Sequence, residues 1–289
     1  MTDSFASRFA SVRAAQGPLV FGLDPSADLL EAWGIGDSAD GLDRFADIVL
    51  DTVAAAGGPT GSPVGLVKPQ SAFYERHGWR GIRTLQRLVA SAREAGLLVI
   101  LDVKRGDVGS TNDAYAEAYL GKGAPLAADA ITVHPYLGLG AMGAFVSRAD
   151  ESGSCLLIVT RSSNSDGRAI QAATAPDSAP VTVEQQLLLD IRALNERLAP
   201  GRIGPVGAVV GPAHLRPELD LVAANCLFLA PGIGAQGAAP ADVEAVFAAC
   251  PDRVMPSASR SLLQSGPDRG RLRDAVAALA AELRSRLVR

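Results

Sequence analysis

The sequence is poor in the residues that most often build metal sites and disulfide frameworks. Its 289 residues include three histidines and three cysteines. Cys155, Cys226 and Cys250 lie far apart in apolar surroundings and form no Cys-x-x-Cys pair, so we expect buried thiols of a reducing compartment. The histidines form neither His-x-His nor His-Glu-x-x-His, so no histidine-built metal centre is predicted.

Basic runs and long apolar runs are missing as well. The net charge is -4 at pH 7, and no cluster of lysine and arginine alternates with aromatic residues, so nucleic acid is not an expected partner. No apolar stretch reaches membrane-spanning length, and the N-terminus lacks a basic-then-apolar signal pattern. These absences favour a cytoplasmic protein, and 48% hydrophobic residues are enough for a large core.

What the sequence does contain is a repeated alternation of short apolar segments with helix-like segments. The pattern fits an α/β (β/α)₈ TIM barrel, a single domain over residues 1–289. A doubly wound sheet is disfavoured, because no Gly-x-Gly-x-x-Gly follows the first strand and no Walker loop occurs. The predicted strands lie near residues 18–23, 64–67, 96–100, 130–133, 155–159, 206–210, 226–229 and 253–255.

Two segments are expected to lie outside these repeats. Phe5, Phe9 and Val12 recur at helical spacing and predict an N-terminal helix over residues 3–15 that packs over the bottom of the core. Residues 164–181 are rich in Ser, Gly, Ala and Pro and predict an extended loop of the kind that is either mobile or functional.

Polar side chains stand where the predicted strands end. The C-terminal ends of the strands form the face on which barrels of this class hold their active sites, so we expect these side chains to share one cavity. They are Asp24, Lys68, Asp102, Lys104, His134, Ser162 and Arg260.

The run from Asp102 to Asp107 is the most informative part of the chain. Side chains alternate along a strand, so Asp102 and Lys104 point to the same side. Neighbouring strands lie roughly 5 Å apart, so Lys68 can stand beside them. The result is a row of alternating charge that supplies a fixed field and an ammonium able to deliver a proton. Asp107 comes after the strand, in a turn, and is free to point elsewhere.

A phosphate site is expected after the last two strands. Barrels commonly bind phosphate there, and Ser259-Arg260 offers backbone N–H groups and a bidentate guanidinium. The Gly-rich loop 231–237 carries Gln236, whose neutral amide is able to reach a phosphate or a base carbonyl.

Together these residues resemble the orotidine 5′-monophosphate decarboxylase family. The run Asp102-Val103-Lys104-Arg105-Gly106-Asp107-Val108 is similar to the family signature Asp-x-Lys-x-x-Asp-[Ile/Val], and residues 68–75 resemble the segment with the family's other lysine. Leu23-Asp24-Pro25, the Gln236 loop and Ser259-Arg260 match in the same order. The chain length and the sequence of residues 68–75 resemble those of the longer bacterial subgroup, type 2.

The resemblance implies decarboxylation of orotidine 5′-monophosphate to uridine 5′-monophosphate in de novo pyrimidine biosynthesis, without cofactor or metal. It implies a homodimer in which Asp107 and Thr111 complete the neighbouring active site. The implied catalytic residues are Lys104, Asp102, Lys68 and Asp107. The implied substrate-binding residues are Asp24, Thr111, Ser162, Gln236, Ser259 and Arg260, with Thr160 and Ser163 as alternatives to Ser162.

Two other functions stay open from the sequence. One is a Mg²⁺-dependent sugar-phosphate decarboxylase or aldolase of the same barrel superfamily, which needs a carboxylate near the metal and no pyrimidine contact. Lys68 and the Gln236 loop argue against it. The other is a barrel that binds a nucleotide or phosphate without turnover. Binding alone would not need the full set of charged residues, which are Lys68, Asp102, Lys104 and Asp107.

Overall fold

The eight strands form one closed parallel barrel. The computed structural model describes residues 3–53, 61–174, 181–212, 219–235 and 237–288. Each strand is hydrogen-bonded to the next along the chain, and β8 closes the barrel against β1. The predicted (β/α)₈ TIM barrel is thereby confirmed. The strands are β1 (Val20–Leu23), β2 (Leu66–Pro69), β3 (Leu98–Arg105), β4 (Ala130–Val133), β5 (Cys155–Arg161), β6 (Val206–Val210), β7 (Phe228–Pro231) and β8 (Val254–Ala258).

Helices cover the outside of the barrel. They are α1 (Phe5–Gln16), α2 (Ala27–Ala32), α3 (Ala39–Val53), α4 (Ala72–Glu75), α5 (Gly78–Glu94), α6 (Gly109–Leu120), α7 (Gly143–Ser152), α8 (Arg168–Gln171), α9 (Val183–Leu198), α10 (Leu221–Ala224), α11 (Pro240–Val246), α12 (Arg260–Leu263) and α13 (Arg269–Leu287). The last helix packs on α3 and α11 and so completes the outer ring. Within the described ranges, no helix has both the length and the apolar character needed to cross a membrane.

The core has two layers because the strands alternate their faces. Phe21 and Leu101 point outward into the larger layer between strands and helices. Val20 and Ile100 point into the barrel interior. Each fully buried side chain of this size stabilises the fold by about 1.5–3 kcal/mol.

Helix α1 closes the bottom of the barrel. Its Phe5 and Phe9 are almost completely buried and belong to the interior layer, and Val12 packs against that layer from the edge. Ser4 caps the helix by accepting a hydrogen bond from the backbone N–H of Ser7. The placement agrees with the packing role predicted for residues 3–15.

The third strand includes the charged residues that were predicted at its end. We predicted an apolar run over residues 96–100 followed by Asp102 and Lys104 at the end of the strand, and β3 runs from Leu98 to Arg105 with both residues within it. Its pairing with β4 shifts register between Leu101 and Arg105, and Lys104 has φ +44°. With this irregular backbone the strand continues through polar residues, where the apolar pattern alone would predict its end.

The region predicted as an extended loop over 164–181 contains short helical elements. Residues 165–167 form a 3₁₀ turn that leads into α8, and Thr174 pairs with Thr182 in an isolated antiparallel bridge. The side chain of Gln171 exchanges hydrogen bonds with Ser162 and holds α8 against the end of β5. Residues 175–180 of the predicted loop lie outside the described residues.

Candidate active site

A cavity of about 520 Å³ opens at the C-terminal ends of the strands. Most of the predicted site residues line it, namely Asp24, Lys68, Asp102, Lys104, Ser162, Ser259 and Arg260. A larger groove, about 730 Å³, lies at the opposite end of the barrel beside the start of α1 and contains none of the predicted residues. The smaller cavity is therefore the candidate active site.

The predicted row of charges exists at one wall of this cavity. Lys68 Nζ lies 3.0 Å from Oδ2 of Asp102, and Lys104 Nζ lies 2.5 Å from Oδ1 of the same carboxylate. Lys68 and Asp102 are buried, whereas 40% of the Lys104 side chain is exposed. Lys104 is thus the ammonium of the row that is open to the cavity.

The row keeps its buried members charged. Burial acts to lower the pKa of Lys68, but Asp102 and Asp24 outweigh it, so the pKa lies above its usual value. Burial acts to raise the pKa of Asp102, but Lys68 and Lys104, together with hydrogen bonds, hold this pKa well below its usual value. Asp102 is therefore a carboxylate at any physiological pH and cannot itself deliver a proton.

The backbone at Lys104 adopts a left-handed conformation that is rare outside glycine. With φ +44° it costs about 1–2 kcal/mol, so the surroundings must hold it. The backbone N–H of Lys104 donates to Oγ1 of Thr132, and Arg105 accepts a backbone hydrogen bond from His134. These two contacts with the end of β4 fix the direction in which the Lys104 ammonium points.

Next to the row, at the ends of β1 and β8, the cavity has polar atoms that lack partners within the described part of the chain. Oδ1 of Asp24 and Oγ of Ser259 are both buried without a hydrogen bond. Arg260 follows Ser259 at the start of α12 and is exposed toward the cavity. Unpaired buried polar atoms are costly, so these groups are suited to bind a polar ligand. Gln236, predicted to join them, lies outside the described residues.

Asp107 and Thr111 are placed differently from the other predicted residues. Neither lines the cavity of its own chain. Asp107 lies in the turn between β3 and α6, where its backbone exchanges hydrogen bonds with the buried Asn112 side chain. Thr111 is exposed on the first turn of α6, next to the exposed Val108. The same strand end thus points Lys104 into the cavity and Asp107 away from it.

Comparisons with known proteins agree with this arrangement. A family model described as "Orotidine 5′-phosphate decarboxylase / HUMPS family" matches residues 19–275. The chain belongs to this family. A curated orotidine 5′-phosphate decarboxylase from Salinispora tropica is 43% identical over 285 residues, which cover 99% of each chain. One from a Nocardioides strain is 45% identical over 283 residues, covering 97% of this chain and 99% of the relative.

A solved structure extends the similarity to three dimensions. A Streptomyces avermitilis protein, provisionally described as an orotidine 5′-phosphate decarboxylase, superposes with a TM-score of 0.91 at 42% identity. The match covers 99% of this chain and 97% of that one. Every predicted site residue, from Asp24 to Arg260, falls within the segment that the orotidine 5′-phosphate decarboxylase / HUMPS model matches.

Two residues of this family member's site were missed by the sequence reasoning. Thr132, buried within β4, donates a 2.7 Å hydrogen bond to Oδ1 of Asp102. Gln70, directly after β2, lines the cavity, and its amide nitrogen lies 2.6 Å from Oδ2 of Asp102 when the amide is oriented to donate. The opposite orientation would set the amide oxygen against acceptors only. The sequence offered one feature that could have identified Thr132 as a site residue, namely its hydroxyl within an otherwise apolar strand.

The structure narrows the choice among the three hydroxyls after β5. Thr160 is fully buried, donates to the backbone of Ile158 and does not line the cavity. Ser162 and Ser163 both line it. His134 is exposed beside the row but does not line the cavity, and burial together with Lys104 lowers its pKa. It is thus neutral at pH 7 and has no direct place in the site.

Proposed function

We propose that this chain decarboxylates orotidine 5′-monophosphate to uridine 5′-monophosphate, a step of pyrimidine nucleotide biosynthesis. The observation that carries the proposal is the Lys68–Asp102–Lys104 row, which places a permanently charged carboxylate against an accessible ammonium. It is supported by 43% and 45% identity to curated orotidine 5′-phosphate decarboxylases over nearly the full chain.

In the proposed complex, separate groups hold the two ends of the substrate. Arg260 and Ser259 bind the phosphate, because a guanidinium and an unpaired buried hydroxyl face the cavity there. Gln236 is proposed as a further phosphate ligand. Asp24 and Lys68 bind the ribose hydroxyls, and Ser162 or Ser163 contacts the pyrimidine amide. These contacts place C6 of the base over the charged row.

The chemical step uses the two residues at the end of β3. Asp102 lies against the substrate carboxylate, and the bond from C6 to this carboxylate breaks with its electron pair left on C6. Lys104 stabilises the developing carbanion and then transfers a proton from Nζ to C6. Because 40% of the Lys104 side chain is exposed, solvent is able to return the proton after CO₂ leaves.

The same geometry argues for a reaction without a metal ion. Asp102 accepts hydrogen bonds on both oxygens and stands between two ammonium groups. A Mg²⁺ ion needs oxygen ligands with free lone pairs, and with Gln70 as a fourth donor the Asp102 carboxylate has none left beside its two ammonium neighbours. The donor set therefore fits the proposed decarboxylase better than a Mg²⁺-dependent sugar-phosphate enzyme.

We also propose that the active unit is a homodimer in which Asp107 and Thr111 complete the site of the neighbouring subunit. Support comes from their position on the same face of the barrel as the cavity but outside its lining. The cytoplasm is the proposed compartment, since the three cysteines are buried and free.

The test is an absorbance assay of orotidine 5′-monophosphate decarboxylation in excess EDTA, with the unmodified protein and Lys104→Ala. We expect rapid turnover that EDTA leaves unchanged and that the substitution reduces by several orders of magnitude. Turnover that requires Mg²⁺, or none at all in the unmodified protein, would contradict the proposal and favour the sugar-phosphate enzymes or a binding protein.

A further inference from the structure

Gln70 contacts Asp102 through both backbone and side chain. It follows β2 and forms a parallel bridge with Asp102, while the next residue, Ser71, donates its backbone N–H to the Asp102 carbonyl at 3.1 Å. With its amide oriented to donate, the Gln70 nitrogen lies 2.6 Å from Oδ2, 3.3 Å from Oδ1 and 3.1 Å from the carbonyl oxygen of Asp102. One neutral side chain therefore contacts both polar ends of this residue.

Four side chains donate to the carboxylate of Asp102. Oδ1 accepts from Lys104 at 2.5 Å and from Thr132 at 2.7 Å. Oδ2 accepts from Lys68 at 3.0 Å and from Gln70 at 2.6 Å, and the Gln70 nitrogen also lies 3.3 Å from Oδ1. A carboxylate has about four lone-pair sites, so two ammonium groups and two neutral donors are enough to fill them.

We propose that Gln70 is a positioning residue for the reaction, acting through the carboxylate of Asp102. Its amide fixes the rotation of the carboxylate, which in turn holds the Lys104 ammonium at the place where C6 is protonated. The inference rests on the proposed function. It adds a new residue to that function, because neither the predicted row nor the predicted binding residues include Gln70.

The geometry predicts an effect on turnover more than on substrate affinity. The groups proposed to bind phosphate, Ser259 and Arg260, follow β8, which β1 separates from β2 and Gln70. Loss of one hydrogen bond to a buried charged group slows the chemical step by about tenfold or more. We therefore expect kcat to fall by that factor in Gln70→Leu, with KM within about threefold of the unmodified value.

Gln70→Glu adds a readout that a purely structural role would not produce. When protonated, the introduced carboxyl is able to donate to Oδ2 as the amide does; when ionised, it repels Asp102. The other charged groups around the pair are Lys68 on β2, Lys104 on β3 and Asp24 after β1. His134, after β4, is a further titratable neighbour of the row.

The experiment measures kcat and KM from pH 5 to 9 for the unmodified protein, Gln70→Leu and Gln70→Glu. Gln186→Glu is the matched control, because Gln186 also donates to a carboxylate, that of Asp190, but at a half-buried position on α9 outside the cavity. The control is expected to leave kcat unchanged. Circular dichroism shows whether each variant is folded. If Gln70→Leu does not fold, Gln70→Glu still tests the inference, because glutamate has nearly the same shape as glutamine.

We expect the ratio of kcat in Gln70→Glu to kcat in the unmodified protein to rise as pH falls. The corresponding ratio for Gln70→Leu should be low and nearly independent of pH. Values of kcat within twofold of the unmodified protein, a loss confined to KM, or the same loss in Gln70→Glu at every pH would overturn the inference. Absence of decarboxylation in the unmodified protein would instead count against the proposed function.

Discussion

Thr132 donates a 2.7 Å hydrogen bond to Oδ1 of Asp102, and the same hydroxyl oxygen accepts one from the backbone N–H of Lys104. A single side chain on β4 thereby connects the charge of the row to the left-handed backbone that aims its ammonium. The geometry of the candidate site at the end of β3 is thus partly determined by the neighbouring strand.

Substitution Thr132→Val should damage both stability and turnover. Valine has nearly the same shape but leaves the Lys104 N–H and one lone pair of Asp102 without partners, which costs about 1–3 kcal/mol. We expect the free energy of unfolding in urea to fall by that amount and kcat to fall at least tenfold. Thr132→Ser keeps the hydroxyl and should restore most of kcat; equal kcat losses in both variants would argue against a role for the hydrogen bonds.

Removal of the Asp102 charge should destabilise the fold in a pH-dependent manner. Asp102→Asn leaves the buried Lys68 without its nearest carboxylate, and breaking a buried pair costs about 3–5 kcal/mol. The pKa of Asp102 is held below its usual 3.8, so its contribution is present above pH 3.8 and is lost as pH falls toward the lower folded value.

The measurement is urea unfolding of the unmodified protein and Asp102→Asn at pH 7 and pH 3. The difference in unfolding free energy should be smaller at pH 3. Asp274→Asn, at an exposed position of α13, is the control and should show little difference at either pH. A difference for Asp102→Asn that does not depend on pH would contradict the electrostatic explanation.

Mixing two inactive variants tests the proposed homodimer. Lys104→Ala removes the proposed proton donor, and Asp107→Ala removes a group proposed to act in the partner's site. A mixed dimer has one site with both substitutions and one intact site. With random exchange, half of the dimers are mixed, so activity should recover to about a quarter of the unmodified value. If Asp107 served its own cavity, the mixture would stay as inactive as its components.

The ion pair at the end of β5 should be important for stability. Arg161 and Glu184 are both buried, and two of their hydrogen bonds measure 2.7 Å. Arg161→Met should lower the unfolding free energy by about 3–5 kcal/mol, because it leaves a buried carboxylate. The matched control is Arg192→Met, which breaks an exposed pair with Glu196 on the same helix and should cost less than about 1 kcal/mol. Similar losses for the two variants would show that burial is not the cause.

Much of the fold could be read from the sequence because its signals are local. Apolar runs such as 130–133 and 206–210 coincide with β4 and β6. The apolar run over 96–100 located only the first part of the third strand, because its last residues are polar and its backbone is irregular at Lys104. The pattern of apolar residues in a sequence indicates only which residues are buried. Lys104 and Arg105 are held in the strand by hydrogen bonds to β4 rather than by apolar contacts.

The candidate site divides in the same way. The sequence by itself determined which charged groups come to the C-terminal face of the barrel, because strand alternation places Asp102 and Lys104 together and strand order places Lys68 beside them. Only the tertiary structure decided what surrounds the carboxylate. Gln70 and Thr132 are far from Asp102 in sequence and come within hydrogen-bonding distance of it because β3 pairs with β2 on one side and, with a register shift, with β4 on the other. The periodicity of apolar residues in the sequence does not predict such contacts, because hydrogen-bond geometry depends on how neighbouring strands are aligned.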